Sequence, residues 1–225
     1  WIADLARKSA LFAHRRMEVV PTGVDTDLFA PKDRIHARAR LGIPADKHII
    51  LFGAASATDP RKGFSHLQHA LRILAQRPDA HNIMLVTFGR FAEAIDALPL
   101  PSIHIGQIDD DDTLANAYSA ADLVVVPSQE DNLPNVALEA IACGVPVVGF
   151  DVCGMNEIIR HQWNGYLADT LDAEKLAGGM AWVLGDEARR MQLKENARTW
   201  AAERFNLKTQ AERYYDLCSQ LAGKP

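Results

Sequence analysis

The stretch from Val124 to Gly149 limits what this chain can fold into more than any other part of the sequence. The apolar run Leu123–Val126 is typical of a strand buried on both faces of a parallel sheet. A polar loop follows, and Pro134 fits the first turn of a helix, where its missing N–H group is not needed. Gly144 is typical of a helix end, and apolar residues from Val147 onward predict a second buried strand. The stretch therefore predicts a strand–loop–helix–strand unit.

The rest of the chain repeats this alternation of short apolar runs and amphipathic segments. Residues 1–20 predict a helix followed by an extended segment at residues 17–20. Further strands are predicted at His48–Gly53, Asn82–Gly89, Ser102–Gly106 and about Gly165–Leu167. Strands that alternate with helices imply a parallel sheet covered on both faces. The predicted fold class is α/β: a Rossmann-like parallel sheet of about six strands with helices on both faces, plus a helical C-terminal extension.

The composition excludes several classes of function. The chain has 225 residues, of which 48% are hydrophobic, enough for a substantial core. Its net charge of −5 disfavours nucleic-acid binding, which requires a basic surface. Three cysteines form no Cys-x-x-Cys pair, which favours reduced thiols in a cytoplasmic protein. No apolar run reaches the roughly 20 residues of a membrane span.

Two acidic residues stand in a specific pattern within the opening stretch. It reads Pro-Ser-x-x-Asp131, then seven residues, then Glu139-Ala-x-Ala-x-Gly-x-Pro-Val. This pattern resembles the signature of family 4 retaining glycosyltransferases, which are GT-B enzymes that take a sugar from a nucleotide-sugar. In that family the first acid is usually Glu. Here it is Asp131, one methylene shorter, with Glu130 just before it.

The resemblance implies a donor-binding half of a two-domain enzyme. It makes residues 1–30 the end of an N-terminal half and the connection between domains. Residues 31–185 become the donor-binding domain, and residues 186–225 the C-terminal helices. The acceptor, a glycan or lipid-linked molecule, is expected to bind through an N-terminal domain that this chain lacks. We therefore expect a hexosyltransferase that is inactive as this isolated piece.

Two basic residues are candidates for holding the diphosphate of the donor. Arg61 and Lys62 follow the first predicted strand, at the edge where doubly wound sheets bind ligands. They resemble the family's diphosphate-binding segment, although Ala54 stands where the family often has another arginine. The alternative interpretation is a solvated helix start, but positive charge opposes the dipole at a helix N-terminus.

The second predicted anion site is the helix start formed by Asp131, Asn132, Leu133 and Pro134, where backbone N–H groups are unpaired. The resemblance places Asp131 near the donor sugar and Glu139 on the ribose hydroxyls. It also places Gln107 and Ile108, after the third strand, against the base. Neither acid is expected to act as a general base, since the resemblance implies that the leaving phosphate takes that role. The alternatives are an N-cap acid and an exposed helical glutamate.

Three other functions fit the sequence less well. A dinucleotide-dependent oxidoreductase lacks Gly-x-Gly-x-x-Gly, because Gly53 is followed by Ala-Ala-Ser. A metal site at Asp109–Asp112 is rejected because those acids precede a helix, whose N-terminus favours negative charge. His66 and His69 lack a third ligand. No cofactor or metal is therefore expected. A non-catalytic nucleotide-sugar-binding domain remains open.

Two surface features bear on partners. The basic segment Asp33–Leu41 is interpreted as a solvated helix, and contact with an anionic membrane is the minority interpretation. We expect a cytoplasmic protein, as the cysteines indicate. Peripheral contact of the whole enzyme with the inner face of the membrane is the alternative that the basic segment leaves open. The apolar stripe of the last helix, which includes Tyr214 and Leu221, is expected to be partly exposed.

Overall fold

The structure is a computed structural model that describes residues 1–54, 59–90, 98–169 and 171–223. These residues form six strands: β1 (His48–Ala54), β2 (Ile83–Gly89), β3 (Ser102–His104), β4 (Leu123–Val126), β5 (Val147–Phe150) and β6 (Gly165–Ala168). All pair in parallel, in the order β3-β2-β1-β4-β5-β6. The predicted six-stranded parallel sheet is confirmed.

Helices cover both faces of the sheet. Within the described ranges they are α1 (Ile2–Lys8), α2 (Arg34–Arg40), α3 (Phe64–Leu74), α4 (Asp111–Ala120), α5 (Asn135–Ala142), α6 (Met155–Ile158), α7 (Ala173–Leu184), α8 (Glu187–Arg204) and α9 (Leu207–Leu221). Alternate residues of β1 enter two separate cores. Ile49 and Leu51 pack with α2, α4 and α5, whereas Ile50 and Phe52 pack with α3 and α7. The near-continuous apolar strands are explained by this burial on both faces.

Two predicted strand segments differ from the structure. Residues 17–20, expected to be extended, join no strand of the sheet and lie beside α9, where Arg16 donates a hydrogen bond to Gln220. The third strand ends at His104, short of the predicted Gly106. Gly106 has a φ of 80°, a left-handed conformation that ends an extended strand.

The basic helix α2 is solvated along most of its length, as its sequence predicts, but Arg38 is buried. Arg38 is 2% exposed and donates to the backbone oxygens of Ala120, Ala45 and Lys47. Its guanidinium also donates to the carboxylate of buried Asp122 at 2.8 Å. The prediction was wrong for this residue because charge alone does not show which helical face is turned inward.

Asp122 is shared by several elements. Oδ1 accepts from Arg34 at 2.7 Å, and Oδ2 accepts from the backbone N–H of Ile49 at 2.8 Å. Arg190 of α8 approaches Oδ1 to 3.6 Å. One carboxylate therefore joins α2, the start of β1 and α8 beneath the amino end of the sheet.

The two C-terminal helices differ in burial. In α8, Leu193, Ala197 and Ala201 are buried. No residue of α9 is buried, and Leu221 is 74% exposed, as expected for its apolar stripe. In the portion of the chain that the structure describes, no helix is long and apolar enough to cross a membrane.

Candidate functional site

The site lies where the direction of the strand order reverses. The chain proceeds outward from β1 through β2 to β3, then returns to place β4 on the other side of β1. Residues 59–63, which follow β1, and the loop after β4 lie at the same carboxyl edge, where ligands of doubly wound sheets bind in a crevice. Both sequence candidates for phosphate and sugar contacts are on these two loops.

A short 3₁₀ turn, Pro60–Lys62, lies between β1 and α3. Asp59 caps it by accepting the N–H of Arg61. The loop after β4 then holds the turn, because Gln129 donates its backbone N–H to the Arg61 carbonyl at 2.8 Å and its side-chain amide to the Pro60 carbonyl at 3.0 Å. Gly63 closes the turn with a φ of 67°, and a Cβ there would lie 1.8 Å from the Pro127 oxygen. Only glycine allows this close approach.

Lys62 and Asp131 meet across the crevice. The Lys62 ammonium donates to Asp131 Oδ2 at 2.8 Å, with the two side chains 36% and 22% exposed. The structure therefore brings together the two residues that the sequence singles out most strongly. A cation and an acceptor carboxylate in contact can serve a diphosphate and the hydroxyls of a sugar, respectively.

Arg61 is placed differently from its neighbour. Its guanidinium donates to both carboxylate oxygens of Asp59, at 3.2 and 2.8 Å, and its side chain is 69% exposed. The hydrogen bond from Arg61 lowers the pKa of Asp59, and the same pair raises the pKa of Arg61. Arg61 lines the crevice, but its charge is already paired.

Gly154 contacts the backbone of the loop before α5. The Gly154 N–H donates to the Asp131 carbonyl at 3.3 Å. A Cβ at Gly154 would lie 1.4 Å from the Asn132 carbonyl oxygen, so this backbone approach excludes any side chain. The loop then enters α5 through buried Pro134, directing the first N–H groups of the helix toward the carboxyl edge.

Glu139, in the middle of α5, is half-buried rather than a freely exposed helical glutamate. It accepts a 2.6 Å hydrogen bond at Oε2 from the hydroxyl of buried Tyr118. Burial raises the pKa of Glu139, which Tyr118 opposes and nearby Asp111 reinforces. Burial and the adjacent carboxylate also raise the pKa of Tyr118 well above its usual value, so its hydroxyl remains a donor. The pair fixes one carboxylate oxygen.

Gln107 and Ile108 lie after β3 and make contacts of different kinds. The Gln107 side chain accepts from Arg90 at 3.3 Å and donates to Asp109 at 2.7 Å. Ile108 packs against the core beside α4. His66, considered above as a metal ligand, places its ring edge-on to Phe150. Among the described residues, no three His, Cys, Asp or Glu side chains group as metal ligands do.

A pocket of about 290 Å³ lies over the Lys62–Asp131 pair. Predicted residues in its lining are Arg61, Lys62, Asp131 and Asn132. A second cavity of about 340 Å³ shares Asn132 and adds Leu133. The remaining predicted residues do not line these two cavities: Pro134, Glu139, Gln107 and Ile108.

A family model described as "Glycosyl transferases group 1" matches residues 33–200, which include every predicted site residue. The chain belongs to this family. The glycosyltransferase resemblance of the sequence is confirmed at this level.

The chain is similar in sequence to two proteins of the same name. The D-inositol 3-phosphate glycosyltransferase of Thermobispora bispora is 32% identical over 220 residues, covering 91% of this chain and 50% of the relative. The protein of the same name from Geodermatophilus obscurus is 36% identical over 83% of this chain and 44% of the relative. This chain thus spans about half the length of the curated relatives it matches.

Two solved structures resemble the chain closely. Sucrose-phosphate synthase from Thermosynechococcus elongatus has a TM-score of 0.85 and 29% identity, covering 98% of this chain and 56% of that one. Anabaena HepE in complex with UDP has a TM-score of 0.75 and 25% identity, covering 90% of this chain and 57% of that one. The group 1 glycosyltransferase chain has the Rossmann-like fold of GT-B C-terminal domains.

Sequence reasoning missed several residues that shape this group 1 site. Tyr118 lies in α4, and nothing local in the sequence indicates that its hydroxyl meets Glu139. Asp59 precedes Pro60-Arg61-Lys62, and an acid directly before a proline is a cap signal visible in the sequence. The contact of Gly154 with Asn132 depends on two distant segments meeting, so no local signal predicts it.

Proposed function

We propose that this chain is the donor-binding half of a retaining, family 4-type glycosyltransferase. The whole enzyme moves a hexose-type sugar from a nucleoside diphosphate to a glycan or lipid-linked acceptor. The observation that carries this proposal is the Lys62–Asp131 pair at 2.8 Å, set in the switch-point crevice of a group 1 glycosyltransferase chain. It provides a cation for the diphosphate beside an acid for the donor sugar.

Each site residue has a proposed task. Lys62 binds the diphosphate, and Arg61 adds positive potential at the rim while paired to Asp59. Asn132, Leu133 and Pro134 present the α5 N-terminus to phosphate or sugar oxygens. Asp131 is the catalytic residue and contacts the donor sugar through its carboxylate. Charge stabilisation of the leaving phosphate is the main contribution of the protein to catalysis.

The nucleoside occupies the opposite side of the crevice in this proposal. Glu139 accepts from the ribose hydroxyls through the carboxylate oxygen that Tyr118 leaves available. Gln107 and Ile108 contact the base. No metal is required, because cations and a helix N-terminus already meet the diphosphate. The proposal keeps the enzyme cytoplasmic, with peripheral contact at the inner face of the membrane.

A ligand panel tests the proposal. Unfolding temperature and calorimetric heats are measured with UDP, GDP, ADP and NAD. HepE is described in complex with UDP, which makes UDP the first to try. A ligand at 100 times its dissociation constant adds about 2.7 kcal/mol to stability. Binding of one diphosphate supports the donor-half proposal, whereas binding of NAD alone contradicts it. Turnover after adding the N-terminal half excludes the alternative, a non-catalytic nucleotide-sugar-binding domain.

Lys62→Ala is expected to weaken binding of the preferred nucleoside diphosphate by about 1.5–3 kcal/mol, because a charge-assisted hydrogen bond is lost. The loss also leaves Asp131 without its cation, so its negative charge repels the phosphates. Calorimetry measures the change. Lys175→Ala is the matched control, since Lys175 forms a comparable 2.7 Å pair with Asp169 on the surface. Unchanged affinity in Lys62→Ala removes Lys62 from the site.

Glu139→Gln is expected to weaken UDP by about 1–2 kcal/mol and free pyrophosphate hardly at all, because only UDP carries a ribose. UDP binding by wild type should also weaken as the pH is lowered, because the Glu139 carboxylate takes up a proton. Since burial raises the pKa of Glu139, this weakening should begin at a higher pH than an ordinary glutamate would give. The glutamine variant should lack that dependence. Equal losses for UDP and pyrophosphate contradict the ribose role.

A further inference from the structure

A third and larger cavity lies at the opposite edge of the sheet from the site described above. Its volume is about 440 Å³. It opens beside Gly144 and Val145, which precede β5, so it faces the amino ends of the strands. Helix α8 forms its other wall through Met191 and Lys194. The cavity shares no lining residue with the donor pocket.

The charged residues of this lining are strongly unbalanced. Four are basic and one is acidic: Lys32, Arg34, Lys194, Arg198 and Glu195. Among the described residues, the guanidinium of Arg198 donates hydrogen bonds to backbone oxygens alone, those of Thr26, Phe29 and Ala142. Arg34 pairs with Asp122, which it shares with Arg38. Lys32 pairs with Asp112, so the excess of positive charge in the cavity rests on Lys194 and Arg198.

Lys194 is the cation with the least compensation. In the ranges that the structure describes, its ammonium has no hydrogen-bond acceptor or carboxylate in ion-pair contact. Burial lowers the pKa of Lys194 to about 8, and Arg34, Arg190 and Arg38 act in the same direction, while Asp122 opposes them. Glu195 and the thiol of Cys143 also line the cavity. Burial raises the pKa of Cys143 to about 12, so it adds no negative charge near neutral pH.

We infer that this cavity binds a small organic phosphate, whose phosphate group contacts Lys194 and Arg34 and whose apolar body packs against Met191 and Val145. An anion compensates Lys194, which forms no ion pair among the described residues, and the positive charge of Arg34 adds to the attraction. Apolar lining beside those cations favours a phosphate ester over the bare ion. This site is separate from the donor site and does not rest on the proposed glycosyl transfer.

Phenyl phosphate is the probe, titrated calorimetrically into the whole chain near neutral pH. Wild type is expected to bind it more tightly than inorganic phosphate. Lys194→Met should weaken binding by at least about tenfold, as for loss of a charge-assisted contact. Lys194→Arg, which restores the charge, should recover most of it. Lys208→Met, an exposed lysine on α9, is the matched control and should bind as wild type does.

Lys62→Ala separates the two anion sites. Phenyl phosphate binding should persist in Lys62→Ala and fall in Lys194→Met, with circular dichroism confirming that both variants are folded. Loss in Lys62→Ala would place the probe in the donor crevice and overturn the inference. Wild-type affinity in Lys194→Met, no binding to wild type, or equal affinity for phenyl and inorganic phosphate would each overturn it as well.

Discussion

Asp122→Asn is expected to lower the free energy of unfolding by about 3–5 kcal/mol, the cost of removing one partner of a buried ion pair. Asp122 is 1% exposed, and its carboxylate accepts from Arg38 and from Ile49 N–H at 2.8 Å each. An asparagine retains the shape but removes the negative charge beside Arg38 and Arg190, of which Arg190 keeps its ion pair with Glu187. Both are nearly inaccessible to water, which cannot replace the lost partner.

The pH dependence of this effect has a definite sign. Burial acts to raise the pKa of Asp122, but the Ile49 hydrogen bond and the nearby cations outweigh it and lower the pKa. A carboxyl whose pKa is depressed by folding stabilises above its unfolded pKa, and that stability is lost as the pH falls through the folded value. The difference between wild type and variant should therefore shrink below about pH 4, the usual range of aspartate.

Chemical denaturation across this pH range measures both effects. Asp112→Asn is the matched control, because Asp112 also pairs with two cations, Lys32 and Arg40, but at the surface. Asp112→Asn should change the free energy of unfolding little, since exposed ion pairs contribute weakly to stability. Wild-type stability in Asp122→Asn would show that Asp122 does not hold α2 and α8 to the sheet.

Gly154→Ala is expected to displace the loop before α5, which contains Asp131 and Asn132. The new methyl group would lie 1.4 Å from the Asn132 carbonyl oxygen, so the backbone around Asp131 has to move. Gly154 has a negative φ of −89°, which alanine can adopt, so most of the cost comes from this contact. We expect a stability loss of about 3 kcal/mol, the upper part of the range for overpacking.

The same displacement should abolish most nucleotide binding. Moving Asp131 separates it from Lys62 and turns the α5 N-terminus away from the diphosphate. UDP affinity is expected to fall by more than about tenfold, since several contacts fail together. Gly178→Ala is the control, because a Cβ at this helical position meets nothing within 4 Å. It should retain UDP affinity and stability, and parallel behaviour of the two variants would refute the loop mechanism.

The fold was largely predictable because burial on both faces leaves a local trace. Leu123–Val126 is apolar at every position, and the structure has β4 at that range. The extended prediction for residues 17–20 failed for a physical reason: a strand requires a partner, and no local pattern states whether one is available. Likewise Arg38 reads as a solvated cation until its buried partner Asp122 is in place.

The site was predictable residue by residue but not as an arrangement. Lys62 and Asp131 stood out through motifs on separate loops, whereas their direct contact depends on β4 lying beside β1. The contacts of Tyr118 with Glu139 and of Gly154 with Asn132 have the same origin. Long-range packing determines them, so short segments of sequence contain no signal for them.

The strand order also determines when the donor pocket can exist as the chain folds. Lys62 and Asp131 are 69 residues apart, and β2, α3, β3 and α4 lie between them in the chain. During synthesis Lys62 emerges before its partner carboxylate, which arrives only with the loop after β4. A chain that has not yet added β4 to β1 cannot form this pair. A ligand that binds only the finished pocket therefore favours the completed sheet over every partly folded form.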